Sequence, residues 1–350
     1  MANQMIGNIK ALSLSETNNR LNFCTLFDTY YLSRGIALYE SLEAHEENFH
    51  LYIFAFNDPS YNILKSMNLA HVTIIALAEF ENEDLLRVKP GRSIGEYCWT
   101  CTSSTILYCL DNFNLDHCTY LDADLYFFNS PRPLINEIGD KSVMITEHRY
   151  TPRYDQSVIS GKYCVQFMYF KNNEEARICL NWWVDACIDW CFAIPEEGKF
   201  GDQKYLDDWT ERFTGIHELE HLGGGVAPWN IQQYHFKLEN GLLRGTEIST
   251  QKTFDVIFFH FHMVWFYANG DVDLGDYTLT NNQLELVFKP YLQHLEQIRA
   301  KIQKEINIDP HGTKKEVTFV KKEYRKFKRK VKGIYNRMKL QDLLDKKWQN

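Results

Sequence analysis

Residues 21–27, Leu-Asn-Phe-Cys-Thr-Leu-Phe, are rich in strand formers and run straight into the polar turn Asp28-Thr-Tyr-Tyr31. Ile36, Leu38, Tyr39 and Leu42 then share one face of a predicted helix. Residues 49–56 are again apolar, and Asn57-Asp58-Pro59 breaks the run. A helix over 60–69 and a strand over 72–77 follow. Strand and helix alternating in this order predict an α/β fold, a doubly wound and mostly parallel sheet flanked by helices. Further along, a helix over 103–110 leads to a strand over 118–121. Strands are expected over 143–146 and 165–170, a Trp-rich helix over 176–193, and a helix start over 201–209. Residues 253–261 read as one continuous apolar strand ending in His260-Phe-His262.

No internal repeat interrupts this pattern, and the segment Asn307-Ile-Asp-Pro310-His-Gly312 is the expected divide between body and tail. The expected organisation is an N-terminal arm over 1–20, one α/β domain over 21–306 and a tail over 307–350. In the tail, Phe327, Val331, Ile334, Tyr335 and Met338 recur at helical spacing with Lys and Arg between them, which predicts a basic amphipathic helix. Residues 314–347 hold fourteen Lys or Arg against four Asp or Glu, a net +10. The whole chain carries −8, so the remainder is −18. Such a tail suits an anionic membrane surface, and packing on the acidic body is the competing reading. Nucleic acid is not an expected partner, because no binding motif accompanies the charge.

Composition adds three constraints. A hydrophobic fraction of 45% over 350 residues is ample for a buried core. No run of about twenty apolar residues exists, so no transmembrane helix is expected. The first twenty residues lack the apolar centre of a secretory signal. Nine cysteines, an odd number mostly inside apolar segments, read as free core thiols in a reducing cytoplasm. Cys98/Cys101 and Cys187/Cys191 have spacings that a thiolate metal site could also use.

The chemistry centres on Asp122-Ala123-Asp124, which directly follows the predicted strand 118–121. In open α/β sheets, ligands bind at the carboxyl ends of strands. Two carboxylates on a turn can approach one Mg²⁺ or Mn²⁺, and that ion can bridge the phosphates of a nucleoside diphosphate. His260 and His262, ending another apolar run, are candidates for a metal ligand and a phosphate-facing group. Asp202 and Gln203 stand at the expected helix start 201–209, where Asp202 could also serve as an N-cap. Gly223-Gly-Gly225 followed by Pro228-Trp-Asn230 is either a close backbone approach to a ligand or an ordinary loop. No G-x-x-x-x-G-K-[ST] loop is present, which argues against an ATPase.

The ordered set of the loop after the first strand, Asp122-Ala-Asp124, Gly201-Asp-Gln203, Pro228-Trp-Asn230 and Phe259-His260-Phe-His262 resembles the GT-A nucleotide-diphospho-sugar glycosyltransferases. It looks closest to the family-eight-like bacterial members, over about residues 21–300. The resemblance implies metal ligation by Asp122, Asp124 and His260. It implies donor contacts from Phe27, Asp28, Tyr31 and the Asp122-Ala123-Asp124 segment, and places Asp202 and Gln203 beside the sugar and acceptor. It further implies Mn²⁺ or Mg²⁺ dependence, a nucleotide-sugar donor, a glycan or lipid-linked acceptor, and retention of anomeric configuration. Were the configuration inverted, Asp202 would be the candidate base. Such enzymes carry a Gly and a phosphate-binding Lys after the late His; Met263-Val-Trp265 stands here instead, and His262 is the substitute. Their mid-chain Asn-Ser-Gly is replaced by Cys164-Val-Gln166, with Gln166 expected to point at the sugar. A metal-dependent phosphohydrolase and a noncatalytic carbohydrate- or nucleotide-binding protein are the competing readings.

Overall fold

The computed structural model describes residues 19–315, 329, 331 and 333–346. In chain order the first elements are β1 (Leu21–Phe27), α1 (Leu32–His45), β2 (Phe49–Ala55), α2 (Asp58–Met67) and β3 (Val72–Ala76). Then come α3 (Ile94–Asn112), β4 (His117–Leu121), β5 (Leu125–Phe127), β6 (Val143–Glu147), β7 (Tyr163–Lys171), α4 (Glu174–Asp189) and β8 (Ile216–Glu218). These build a seven-stranded sheet in the order β3-β2-β1-β4-β7-β6-β8. All neighbours are parallel except β7, which runs antiparallel to both β4 and β6. The fold is α/β as the alternation predicts. Every residue of β1 is buried. Leu21, Phe23 and Phe27 face one core cluster, Cys24 and Leu26 the other. Strands covered on both faces lose polar alternation, which is why this run reads as nearly continuous hydrophobe.

The helix expected over 103–110 is longer, because Ser93 and Glu96 form a reciprocal capping box that starts α3 at Ile94. Helix start 201–209 is instead a 3-10 turn over Lys204–Asp208 followed by the short helix Trp209–Arg212. Asp202 therefore caps nothing there.

After β9 (Tyr234–Glu239) and β10 (Leu242–Glu247), the run 253–261 divides into β11 (Thr253–Asp255) and β12 (Phe258–His260). β11 pairs with β10, whereas β12 pairs with β5. Between them the Ile257 amide donates to the carbonyl of Gly223, so the chain leaves one sheet for another within an unbroken apolar stretch. Hydrophobicity marks burial and is silent about which sheet does the burying.

β13 (Trp265–Phe266), β14 (Asp271–Asp273) and α5 (Lys289–Ile306) complete the body. In the tail, β15 (Arg337–Lys339) adds an antiparallel strand to β14, and the C-terminal helix α6 spans Leu340–Asp345. The helical spacing read through Met338 thus meets a strand, because β14 offers an open edge and acidic partners. Asp271 pairs with Arg337 (3.0 Å) and Lys339 (2.9 Å), and Arg329 reaches Asp273 (2.8 Å). Ile334 and Leu343 are buried. Of the predicted amphipathic stripe, Phe327 lies outside the described residues, as do the rest of residues 316–328 and Lys330 and Lys332.

The segment after α5 is packed on the body. Pro310 accepts from the Ser33 amide (2.9 Å), and His311 bonds Ser33 Oγ (2.8 Å) and Glu296 (2.9 Å) while stacking on Phe266. His311→Ala removes two buried side-chain hydrogen bonds and a ring contact, so a loss of about 2 kcal/mol is expected. The measurement is the denaturant midpoint at unchanged m; an unshifted midpoint would show that 310–312 does not clamp α1 to α5.

Candidate active site

The strand order reverses between β1 and β4, and in open α/β sheets ligands bind outside the carboxyl ends of the strands at such a switch point. Asp28 follows β1, and Asp122 follows β4. Asp28 accepts from the Tyr30 amide (2.8 Å) and shapes the tight turn that carries Tyr31. Burial, only partly offset by these amides, raises its carboxyl above the usual range. Phe27 is buried under α1. The Tyr31 phenol is pushed up by burial and by the charge of Asp124, and its ring lies under the Arg34 guanidinium, which stands 4.7 Å from the ring centre.

β5 and β12 assemble the centre. His260 lies opposite Leu125, and the Phe261 amide donates to the Asp124 carbonyl (2.9 Å). His260 Nε2 is thereby 3.1 Å from Asp124 Oδ1 and 3.7 Å from Asp122 Oδ2. One ligand atom from each of Asp122, Asp124 and His260 lies within 4.8 Å of the other two. Asp124 and His260 are buried and Asp122 is half-buried, while the intervening Ala123 is packed inward. Burial, opposed by the charge of His260 and reinforced by repulsion from Asp124, raises Asp122 to about 6. Burial also opposes ionisation of Asp124, but the charge and hydrogen bond of His260 win, and its carboxyl is held low. His260 is correspondingly raised despite its burial, chiefly by Asp124. The cluster is thus a charge-compensated set of hard oxygen and nitrogen donors, and it fits a small divalent cation.

A second layer holds this centre. Tyr120 Oη donates to Asp122 Oδ1 at 3.0 Å. Thr102 of α3 donates to the Cys98 carbonyl at 3.3 Å, and its hydroxyl offsets part of the burial that raises Tyr120 and Asp202. Asp202 is buried and raised to about 7 by desolvation and then by Asp122. Its backbone carbonyl takes the Trp183 indole N–H at 2.9 Å. Gln203 turns away from the centre and donates to Ser160 O at 2.8 Å. Cys98 is pushed up to about 12 by burial and by the charges of Asp28 and Asp202, which sets it between them. His262 packs against Trp229, and burial together with the neighbouring His260 lowers it to about 4. It therefore offers a neutral N–H, not a cation. Gln166, expected at the sugar, instead lies with Oε1 2.9 Å from His260 Nδ1.

Sequence reading did not single out Arg34 or Thr102, and it took Cys98 only as half of a possible thiolate pair. Arg34 is buried and donates to the carbonyls of Tyr30, Val264 and His311, joining α1, the stretch after β12 and the segment after α5. Its charge helps keep Asp124 ionised. The triple glycine resolves as packing: a Cβ on Gly223 would stand 1.8 Å from Asp255 O, and one on Gly224 2.6 Å from Leu219. A different thiol group from the spacings noted above also converges, Cys24, Cys109 and Cys118, all fully buried between the sheet and α3.

Fold and centre together define an α/β protein with a carboxylate–carboxylate–histidine cluster at the sheet's switch point. The Bacillus subtilis uncharacterized protein YfnF is 30% identical over 247 residues, covering 68% of this chain and 80% of YfnF. The chain belongs to the YfnF family. The uncharacterized protein YfnD of the same organism is 27% identical over 291 residues, 81% of this chain and 91% of YfnD. No protein-family profile matches the chain. Among solved structures, the galactosyltransferase LgtC, in complex with donor and acceptor sugar analogs, aligns with 79% of this chain and 96% of its own at 12% identity and a TM-score of 0.46. Mouse xyloside xylosyltransferase 1 aligns with 60% of this chain and 87% of its own, at 12% identity and a TM-score of 0.41.

The Asp202 carboxyl gives a stability test. Its folded value near 7 lies above the unfolded value of about 3.9, so the native state holds the proton more tightly. The contribution to stability is then greatest at low pH and is lost as pH rises through 7. In chelator-treated protein, Asp202→Asn should gain about 2–3 kcal/mol relative to wild type between pH 5 and pH 8. Parallel stability–pH curves for the two proteins would contradict the buried, proton-holding carboxyl.

Proposed function

We propose that the chain is a GT-A-type glycosyltransferase that moves a sugar from a nucleotide-diphosphate-sugar donor to a glycan or lipid-linked hydroxyl. The observation carrying this reading is the convergence of Asp122, Asp124 and His260 at the sheet's switch point, where β4 neighbours β1. In this reading these three residues hold Mn²⁺ or Mg²⁺, and Asp28, Phe27 and Tyr31 receive the base and ribose. The cation supplies neutralisation of the charge that develops on the leaving diphosphate. His262, held neutral, donates a hydrogen bond to phosphate. Arg34 adds a fixed positive field behind Asp124, although its carbonyl bonds keep it from swinging to the ligand.

Asp202 and Gln203 form the sugar and acceptor side. With its value near 7, Asp202 holds a proton for much of the time at neutral pH, which suits a donor to a sugar hydroxyl better than a dedicated base. The acceptor proton then passes to the departing phosphate oxygen, the course of a retaining enzyme. Gln203, bonded to Ser160, supports the 201–209 turn from the acceptor side.

Among the described residues no helix is long and apolar enough to cross a membrane. A peripheral position on an anionic surface, through residues 314–347, rests on their other basic residues, since Arg329, Arg337 and Lys339 are already paired with the acidic body.

Two experiments test these readings. Thermal-shift screening with UDP-, GDP- and dTDP-sugars in Mn²⁺ should reveal one nucleotide that stabilises by about 2.7 kcal/mol at a hundredfold excess over Kd. Asp124→Asn should abolish that shift and lower transfer at least ~100-fold while the fold persists. Silence across all donors, or full transfer by the variant, would sink the assignment. For the tail, replacing Lys321, Lys322, Arg325, Lys326 and Lys328 by Gln should release the chain from anionic vesicles in a salt-sensitive manner, each basic residue being worth about 1 kcal/mol. Identical sedimentation of both chains would end the membrane reading.

A further inference from the structure

Gln166 has no solvent exposure, and a buried amide is costly unless its polar atoms are used. Its Oε1 meets His260 Nδ1 at 2.9 Å, while its Nε2 finds no partner. The fold goes to some length to put it there. Met144 pairs with Tyr169 but Thr146 pairs with Cys164, so β7 carries extra residues across this stretch. Irregular pairing of this kind re-aims side chains. Val165 and Met168 face the cluster under α3 and α4, while Phe167 and Tyr169 face the opposite one, and Gln166 turns to the site. Its backbone carbonyl also accepts from the Asp122 amide at 3.1 Å, so one residue touches two members of the centre.

Space for the amide comes from Gly225. A Cβ there would stand 3.0 Å from Gln166 Nε2 and 2.9 Å from Thr146 Cγ2, and φ of +96° disfavours any other residue. Asn230 fixes this glycine by donating to its carbonyl at 2.8 Å. The Pro228-Trp-Asn230 stretch is thereby connected to the centre through Gly225 and Gln166.

We propose that Gln166 is a positioning residue that fixes the orientation and tautomer of His260. Its carbonyl takes the Nδ1 proton and leaves Nε2 turned to Asp122 and Asp124 as the ring atom available to a divalent cation. This rests on the metal reading of the same site. An amide does the work without a third negative charge: two carboxylates balance a divalent ion, whereas a carboxylate at 166 would leave an excess charge in a buried place. Gln166 is thus a support of the metal centre.

The test uses the full chain, with Gln166→Met, of similar length but lacking the acceptor, and Gln166→Glu, which keeps it. Mn²⁺ binding is followed by electron paramagnetic resonance titration. In ¹⁵N-histidine-labelled, metal-free protein, the His260 Nδ1–H resonance is followed by NMR, with His260→Asn as the assignment control. Expected in wild type is a downfield, exchange-protected Nδ1–H. In Gln166→Met it should lose protection, and Mn²⁺ affinity should fall 10–100-fold. Gln166→Glu should keep the protected proton and bind Mn²⁺ more tightly than Gln166→Met. A wild-type Nδ1–H and wild-type Mn²⁺ affinity in Gln166→Met overturn the role of Gln166 alone. Should that variant not fold, loss of the protected proton in Gln166→Glu overturns it equally. Failure of the wild-type chain to bind Mn²⁺ overturns the metal reading itself, and the NMR result then decides the Gln166–His260 bond separately.

Discussion

Two carboxylates at i and i+2 in a half-buried turn repel each other, and the arrangement persists because a short ladder brings His260 to them. Only three residue pairs join β5 to β12. That ladder follows the Asp122-Ala-Asp124 turn directly, so its register sets the distance between imidazole and carboxylates. A slip of one residue would turn His260 to the opposite face and leave like charges unopposed. The ladder is anchored by its apolar members: Phe127 and Phe258 are fully buried, and the Phe258 ring stacks at 5.5 Å on the fully buried Phe167 of β7. The chemistry of the site therefore depends on a hydrophobic decision made a residue or two away.

Around this centre the polar groups are arranged in supporting layers. Tyr120 holds Asp122, and Gln166 meets the far side of His260. Each bond restricts a side chain that must otherwise choose among rotamers. Arg34 performs the same task for the main chain, gathering carbonyls from three segments that meet near Asp124. Its lack of freedom matters as much as its charge, since a guanidinium with its donors committed contributes field without motion.

Charge organises the surface as well. The strongly acidic body and basic tail meet at β14, where Asp271 and Asp273 take Arg337, Lys339 and Arg329. Part of the tail's positive charge is therefore neutralised within the molecule. Pairs of this kind stabilise weakly where exposed, and the burial of Ile334 and Leu343 supplies the firmer hold.

Much of the sheet was legible in the sequence because strand and helix signals are local. The runs at 21–27, 49–56 and 118–121 announce strands buried on both faces, and Asp122-Ala-Asp124 after the last of them announces a site at a strand's end. The late histidines were legible as candidates for the same reason. Nothing local could show that 253–261 breaks at Val256-Ile257, since burial in either sheet demands the same residues. The partners of Gln166 and Arg34 lie 94 and up to 277 positions away, and single residues carry no mark of a partner that distant. The three glycines at 223–225 read as a close approach to a ligand or an ordinary loop, whereas tertiary packing requires the absence of Cβ atoms. Met338 fitted a helical stripe until β14 offered an edge with carboxylates beside it. Local residue order was enough to say which segments are buried and where charge must gather. Which buried segment faces which was left to the folded molecule, because that choice is made by contacts between residues far apart along the chain.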